Sequence, residues 1–369
     1  MPKHNTTNTR IKREYFQYLR EAKRRDEASI DAVAKALSRF EEANGHKDFK
    51  SFHREQAVAF KRKLDSETAV RTGKPLSRAT VHSTLSALRA FFIWLAGQPG
   101  YKSRLSYGDA DYFNLAEKDV RIAKATRQKP FPSLDQVYHV LSCMPHMSDI
   151  EKRDRALIAF AILTGARDGA LASFKLKHVD MVGGCVFQDA RDVKTKASKT
   201  FSTWFFPVGV DVQQIVDDWC THLRNVLHWR ENDPLFPATQ LGLSEAGGFA
   251  PIGLRRDGWT SSAPVRGIFR KAFEGAGLPY FNPHSLRDTL VQLGERVCTT
   301  PEAFKAWSQN LGHEQVLTTF TSYGRVAPHR QAELIRGLGI NSVQEPASHE
   351  LKELMAAVAK RHGISMNNL

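Results

Sequence analysis

The apolar periodicity of the chain lapses between about Ala116 and Lys129 and restarts behind two prolines, and this break is what most limits the folds open to it. The stretch AEKDVRIAKATRQK carries no helical stripe and is basic, while Pro130 and Pro132 disfavour helix in the residues that precede them. Ser133-Leu134-Asp135-Gln136 then has the spacing of a capping box, in which a serine and a glutamine side chain satisfy two orphan backbone donors and open a new helix. At 369 residues the chain exceeds what one hydrophobic core usually organises, so the break reads as a domain boundary. The expected organisation is a helical unit over 1–120, a basic linker over 121–132, a larger unit over 133–340 and a tail over 341–369.

The first unit reads as helical and basic. From Ser77, SRATVHSTLSALRAFFIWLAG puts Val81, Leu85, Leu88, Phe92 and Leu95 on one stripe, with Ser77 as N-cap and Gly97 as stop. Arg78, His82 and Arg89 lie off that stripe, and the segments IKREYFQYLREAKRR and FHREQAVAFKRKL repeat the mixture of apolar stripe and basic face. With a formal charge of +14, this accumulation points to a polyanionic partner, since affinity for duplex DNA comes largely from neutralised phosphates. Cys143, Cys185, Cys220 and Cys298 are scattered without any Cys-x-x-Cys pairing, which argues against a disulfide framework and against a zinc cluster. The opening MPKHNTTNTR lacks the apolar core of a signal peptide, and the longest apolar run, Ala156 to Leu163, is too short to span a bilayer. A cytoplasmic protein without membrane contact is expected.

The second unit mixes helices with a small sheet, so the fold class expected for the whole chain is mostly α with a small β-sheet (α+β). Arg155 to Phe174 is apolar at helical spacing and interrupted at Thr164-Gly165, which places Arg167 where one helix ends and another begins. CVFQDA and FSTWFFPV read as two strands, and the hairpin they form carries Lys194, Lys196 and Lys199 between them. Helices are expected near Asp211 to Trp229 and Pro264 to Glu274, with a Gly-rich, insertion-like loop, GLSEAGGFAPIGLRRDG, in between. In the tail, HELKELMAAVAKRHG puts Leu351, Leu354, Met355 and Val358 on one face of a short helix, which needs something to pack against.

Chemistry concentrates in four short motifs: Thr164-Gly165-Ala166-Arg167, then Asn282-Pro283-His284-Ser285-Leu286-Arg287, Leu311-Gly312-His313 and Thr321-Ser322-Tyr323-Gly324. Arginine offers a planar, permanently charged fork that matches two phosphate oxygens, histidine exchanges protons near neutral pH, and tyrosine can attack phosphorus. A phosphodiester suits such a set. In this order and at these separations the motifs resemble the tyrosine recombinases, also called the phage integrase family, and the resemblance runs from about Arg10 to about Arg336. It implies a helical core-binding domain that clamps DNA, followed by a catalytic domain.

Carried over residue by residue, the resemblance makes Tyr323 the nucleophile, Arg167 and Arg287 the pair that holds the scissile phosphate, and His284 an aid to proton transfer. His313 would hydrogen-bond a phosphate oxygen, and a hairpin lysine would protonate the departing 5′ oxygen. Lys194 is preferred because it sits in a Lys-Thr pair directly after the first strand; Lys196 and Lys199 remain open as rivals and, with Arg78, His82 and Arg89, as contacts to the DNA backbone. The family's chemistry stores the energy of the broken link in a phosphotyrosyl bond and needs no cofactor, neither ATP nor metal, and no Gly-x-x-x-x-Gly-Lys loop or metal-ligand spacing is found here.

Two positions depart from the family pattern. Ala170 stands where glutamate is usual, so the support of Arg167 must come from elsewhere, and Asp288 follows Arg287 where histidine is common. The expected activity is site-specific recombination of a mobile element on double-stranded DNA, by a homo-tetramer assembled there, with accessory DNA-bending proteins as optional partners. The rival readings are a DNA-relaxing topoisomerase with the same chemistry and a catalytically silent DNA-binding relative.

Overall fold

The computed structural model describes residues 4–69, 73–125, 129–195, 199–243 and 247–313. Tyr323, Lys196 and the helix expected in the tail lie outside the described residues. The chain divides into two compact units, Met1–Ala125 and Thr126–Leu369.

The first unit is helical: α1 (Thr6–Glu21), α2 (Glu27–Asn44), α3 (Arg54–Ser66), α4 (Arg78–Ala96) and the short α5 (Glu117–Lys124). The start of α4 follows its sequence signal, with the Ser77 hydroxyl accepting the Thr80 N–H and Val81, Leu85, Leu88, Phe92 and Leu95 buried. The core is built on aromatic rings. Phe40 meets Phe60, Phe92 and Phe113 edge-on at centroid distances of 5.2, 5.6 and 5.6 Å, the arrangement that brings the positive edge of one ring to the negative face of another. One polar group is buried among them at full satisfaction: Asn8 donates to Glu41 and to the Lys47 carbonyl and accepts from the Phe49 N–H.

The stretch read as a linker from 121 is helical as far as Lys124. No residue of α5 is buried, so no apolar stripe announces it. It rests instead on charge: Glu117 and Asp119 stand in its first turn, Arg121 and Lys124 in its last, and Arg121 pairs with Glu117 one turn back.

The second unit runs α6 (Leu134–Cys143), α7 (Asp149–Thr164), α8 (Asp168–Leu171), β1 (Val179–Asp180), β2 (Cys185–Gln188), β3 (Phe201–Trp204) and α9 (Val210–Thr221). It continues with β4 (Thr239–Leu243), β5 (Phe249–Leu254), α10 (Ala263–Gly275), α11 (Ser285–Val297) and α12 (Pro301–Asn310). The capping box at Ser133 opens α6. A second one at Ser148 starts α7 earlier than its apolar run does. Every residue from Ala156 to Thr164 is buried, so α7 is the central rod of the unit, apolar on all faces.

β1, β2 and β3 form an antiparallel sheet in that order, with Val186 opposite Thr203. The segment read as a Gly-rich loop is in fact a second hairpin, β4 with β5, whose register shifts between Gln240 and Leu241. Glycine, alanine and Pro251 have poor strand propensity, and the bulge breaks the alternation that would have signalled a strand. Among the described residues, no helix is long and apolar enough to cross a membrane.

Candidate active site

The centre of the site is an arginine that is almost wholly buried. Arg287 stands in the first turn of α11 and is 2% exposed, a position that is costly for a charge unless its donors are met. Its Nη1 donates to the Gly165 carbonyl at 2.5 Å, its Nη2 donates to the Leu311 carbonyl at 2.5 Å, and the same Nη2 lies 3.0 Å from His313 Nε2. As an arginine nitrogen can only donate, His313 Nε2 is the acceptor there, which leaves the ring proton on Nδ1. One guanidinium thus joins the Thr-Gly-Ala-Arg turn, the His-Ser-Leu-Arg helix and the Leu-Gly-His turn, the first 122 positions away in sequence.

Local backbone chemistry sets each of these turns. Gly165 ends α7 in the left-handed conformation (φ 60°), its N–H returning to the Ala161 carbonyl, and this reverses the chain so that Arg167 follows as the N-cap of α8. A side chain at Gly165 would have no room, because an added Cβ would meet Leu290 Cδ1 and Leu311 Cδ2, each at 3.0 Å. Gly312 repeats the device before His313 with φ 71° and Phe201 against it. Trp307 packs α12 onto α11: it stacks obliquely on Phe206 at 4.8 Å and donates its indole N–H to the Leu290 carbonyl.

His284 precedes α11, and its carbonyl accepts the Arg287 N–H at 3.1 Å. Its ring keeps a substantial surface open to solvent, but crowding by protein withdraws part of its water, and the positive charges of Arg287, Arg167 and Lys129 add to the effect. Its pKa falls from 6.5 to about 4, with Asp168 pulling weakly the other way. At neutral pH the imidazole is therefore uncharged and able to take a proton. Asp288, in the next position to Arg287, shifts the opposite way, because burial pushes its carboxyl up to about 6 against the pull of Lys129 and Arg287.

Arg167, Lys194 and Arg287 border a single cleft together with Thr195, Asn310 and Leu311. Lys194 is exposed; its backbone N–H is fixed on Ser173 Oγ at 2.8 Å and its Nζ donates to the Thr260 carbonyl at 3.0 Å. Lys199 does not line that cleft.

Ala170 is buried and offers no polar group to Arg167. The turn is braced from α10 instead: Arg266 Nε and Nη2 donate to Asp168 Oδ2 at 2.9 and 2.6 Å, while Asp168 Oδ1 accepts the Gly169 N–H. Asn310 is a further residue that motif reading does not single out. Its side-chain amide accepts from the Trp204 N–H at 2.7 Å and donates to the Trp204 carbonyl at 2.8 Å, so the end of α12 is stapled to β3 as if it were another strand.

In the first unit, Arg78 is paired with Asp65 and Arg89 with Asp111, and His82 is half-buried. Exposed pairs of this kind contribute little to stability, so a phosphate can replace the carboxylate at small cost.

Comparison with known proteins agrees with this architecture. A model of the phage integrase family matches residues 133–330, and a phage integrase N-terminal SAM-like domain matches residues 13–98. The chain belongs to the phage integrase family, the tyrosine recombinases. Tyrosine recombinase XerC 2 of Ralstonia nicotianae (strain ATCC BAA-1114 / GMI1000) is 23% identical over 288 residues, covering 78% of this chain and 71% of that protein. Among solved structures, a lambda integrase dimer bound to a COC′ core site is similar at 15% identity and a TM-score of 0.58, covering 86% of this chain and 97% of that one. The XerH site-specific recombinase bound to difH substrate gives 16% identity and a TM-score of 0.54, covering 90% and 84%. The mostly helical, two-unit fold with small antiparallel sheets is the one these structures share.

Proposed function

We propose that this enzyme carries out site-specific recombination on duplex DNA by the residues that its family's motifs mark. Tyr323 Oη attacks the scissile phosphorus, the P–O5′ bond breaks, and a 3′-phosphotyrosyl link replaces it. The phenol proton passes to His284, and the departing 5′ oxygen takes a proton from Lys194. A 5′ hydroxyl of a second strand then reverses the step with the proton transfers in the opposite sense.

The observation that carries the reading is the environment of Arg287. A guanidinium spent wholly on backbone carbonyls would be a structural strut, but this one shares its Nη2 with His313, borders the cleft with Arg167 and Lys194, and leaves its buried Nε without a hydrogen-bond partner. In the transition state, charge grows on the non-bridging phosphate oxygens, and donors that are already fixed stabilise it more than they stabilise the ground state. Loss of one such donor costs on the order of 3–4 kcal/mol, by analogy with single oxyanion-hole deletions. A phenol of pKa about 10 is a poor nucleophile at pH 7; the His284 imidazole, uncharged at that pH, has a lone pair free for the proton. Burial and the neighbouring cations hold its pKa at about 4 and so weaken it as a base, and the same cations favour the phenolate.

Exchange between two duplexes requires four strand cleavages, so the working form on DNA is a tetramer, in the cytoplasm where the DNA lies. The test uses nicked duplexes from the flanks of the gene, on which a cut strand diffuses away and the covalent complex accumulates. The native protein is expected to trap on DNA and Tyr323→Phe to bind without trapping. Equal trapping by both would remove Tyr323 from its role.

A further inference from the structure

The loop between β2 and β3 takes part in a half-buried charged cluster that the reaction scheme does not use. Asp192 lies two residues before Lys194 and collects three cationic or proton-donating groups: Lys175 Nζ at 2.5 Å on Oδ1, Lys177 Nζ at 2.7 Å on Oδ2, and His178 Nε2 at 3.5 Å from Oδ2. His178 is 3% exposed, and its Nδ1 accepts the Lys175 backbone N–H at 3.0 Å, so the ring proton sits on Nε2, near the carboxylate but without a hydrogen bond to it. The two lysines hold the Asp192 carboxyl well below the ordinary carboxylate range, which keeps it charged at any pH at which the protein works.

The same loop is tied down on either side of that carboxylate. The Asp192 and Val193 N–H groups both donate to the Asp189 carbonyl, Val193 is buried, and the Thr195 N–H returns to the Val193 carbonyl. The Lys194 N–H is received by Ser173 Oγ, and that hydroxyl donates in turn to the Gly169 and Ala170 carbonyls of α8, the helix that follows Arg167. Within this frame the Asp192 side chain is what joins the loop to the turn at Lys175–His178 that leads into β1.

We propose that Asp192 is a positioning residue for Lys194: its pairing with Lys175 and Lys177 sets the loop so that the Lys194 ammonium reaches the departing 5′ oxygen. This rests on Lys194 being the acid of the proposed reaction. The general physical reason is that a proton donor on a long flexible stem is only as well aimed as its backbone, and a 1 Å misplacement can cost on the order of 10²-fold in rate. Asp192 itself touches no reacting atom.

A substrate whose leaving group needs no proton separates positioning of the acid from general loss of structure. Cleavage rates would be measured on nicked duplexes carrying either the ordinary 5′ oxygen or a bridging 5′-phosphorothiolate, since a thiolate leaves readily without protonation. Lys194→Ala is expected to lose about 10²–10⁴-fold on oxygen, the usual worth of a positioned acid, and to recover on sulfur. Asp192→Asn should lose at least about tenfold on oxygen and recover on sulfur in the same way. Lys177→Met, which removes one hold at the surface of the cluster, should show the same signature at smaller size if Asp192→Asn folds poorly.

The proposal is overturned if Lys194→Ala recovers on sulfur while the Asp192 and Lys177 variants either keep full rate on oxygen or stay equally impaired on both substrates. Failure of Lys194→Ala itself to recover on sulfur would instead remove Lys194 from leaving-group protonation and overturn the reading on which the proposal stands.

Discussion

Replacing Gly165 with alanine tests how the site is assembled, because two separable costs meet at that position. The first is conformational: φ is 60°, a region where a Cβ crowds the following carbonyl at roughly 1–2 kcal/mol for a residue other than glycine. The second is steric, since the new methyl would stand 3.0 Å from both Leu290 Cδ1 and Leu311 Cδ2 inside a packed core, and overpacking of that kind costs about 1–3 kcal/mol. Together they predict a destabilisation of about 2–5 kcal/mol. Gly45 is the internal control. It ends α2 at φ 68° with nothing within 4 Å of an added Cβ, so Gly45→Ala carries the first cost alone.

Denaturant unfolding of the two variants should therefore differ by the steric cost, about 1–3 kcal/mol. Cleavage provides the second readout. The Gly165 carbonyl holds Arg287 Nη1, and Leu311, which the methyl would push, holds Nη2, so DNA cleavage by Gly165→Ala should fall by at least about tenfold under conditions where the protein is folded. Gly45→Ala should leave cleavage unchanged. If Gly165→Ala costs no more stability than Gly45→Ala, the close approach of α7, α11 and the end of α12 has been misjudged. If stability falls and cleavage does not, Arg287 does not depend on that carbonyl.

Two further expectations follow from the same geometry. Asn310→Ala removes two side-chain bonds to the Trp204 backbone; because that edge can be rehydrated, the loss should be about 1 kcal/mol by denaturation, and a loss beyond roughly 3 kcal/mol would mean that the staple is part of a buried core. Asp288 has a native pKa raised from 3.8 to about 6, so the folded state holds its proton more tightly than the unfolded state, and the stability this confers at pH 3 is lost as pH rises through 6. Asp288→Asn removes that dependence, and its stability relative to the native protein should improve between pH 4 and pH 8 by up to about 3 kcal/mol, at 1.36 kcal/mol per pKa unit. An equal difference at both pH values would show that the carboxyl is well solvated.

Local signals carried the parts of the fold that obey local rules. The N-cap at Ser77, the capping box at Ser133, the stop at Gly165 and the apolar stripe of α4 are each decided within a few residues, and each stands where the residues place it. The elements that escaped are those whose support is not periodic. α5 is held by charges on a helix without a buried face, and the β4–β5 hairpin runs through glycines, a proline and a bulge.

The residue types of the proposed site and their order along the chain are legible in the sequence itself: two arginines, two histidines, hairpin lysines and a tyrosine, in motifs short enough to read directly. Which of them meet was decided only by the tertiary structure. The bonds from Arg287 to Gly165, from Asn310 to Trp204 and from Arg266 to Asp168 span 122, 106 and 98 positions, and Asp192 finds its lysines on a different turn. Such contacts leave no pattern in any local window, because they join elements that are far apart in sequence and adjacent only in the folded packing of α7, α11 and α12.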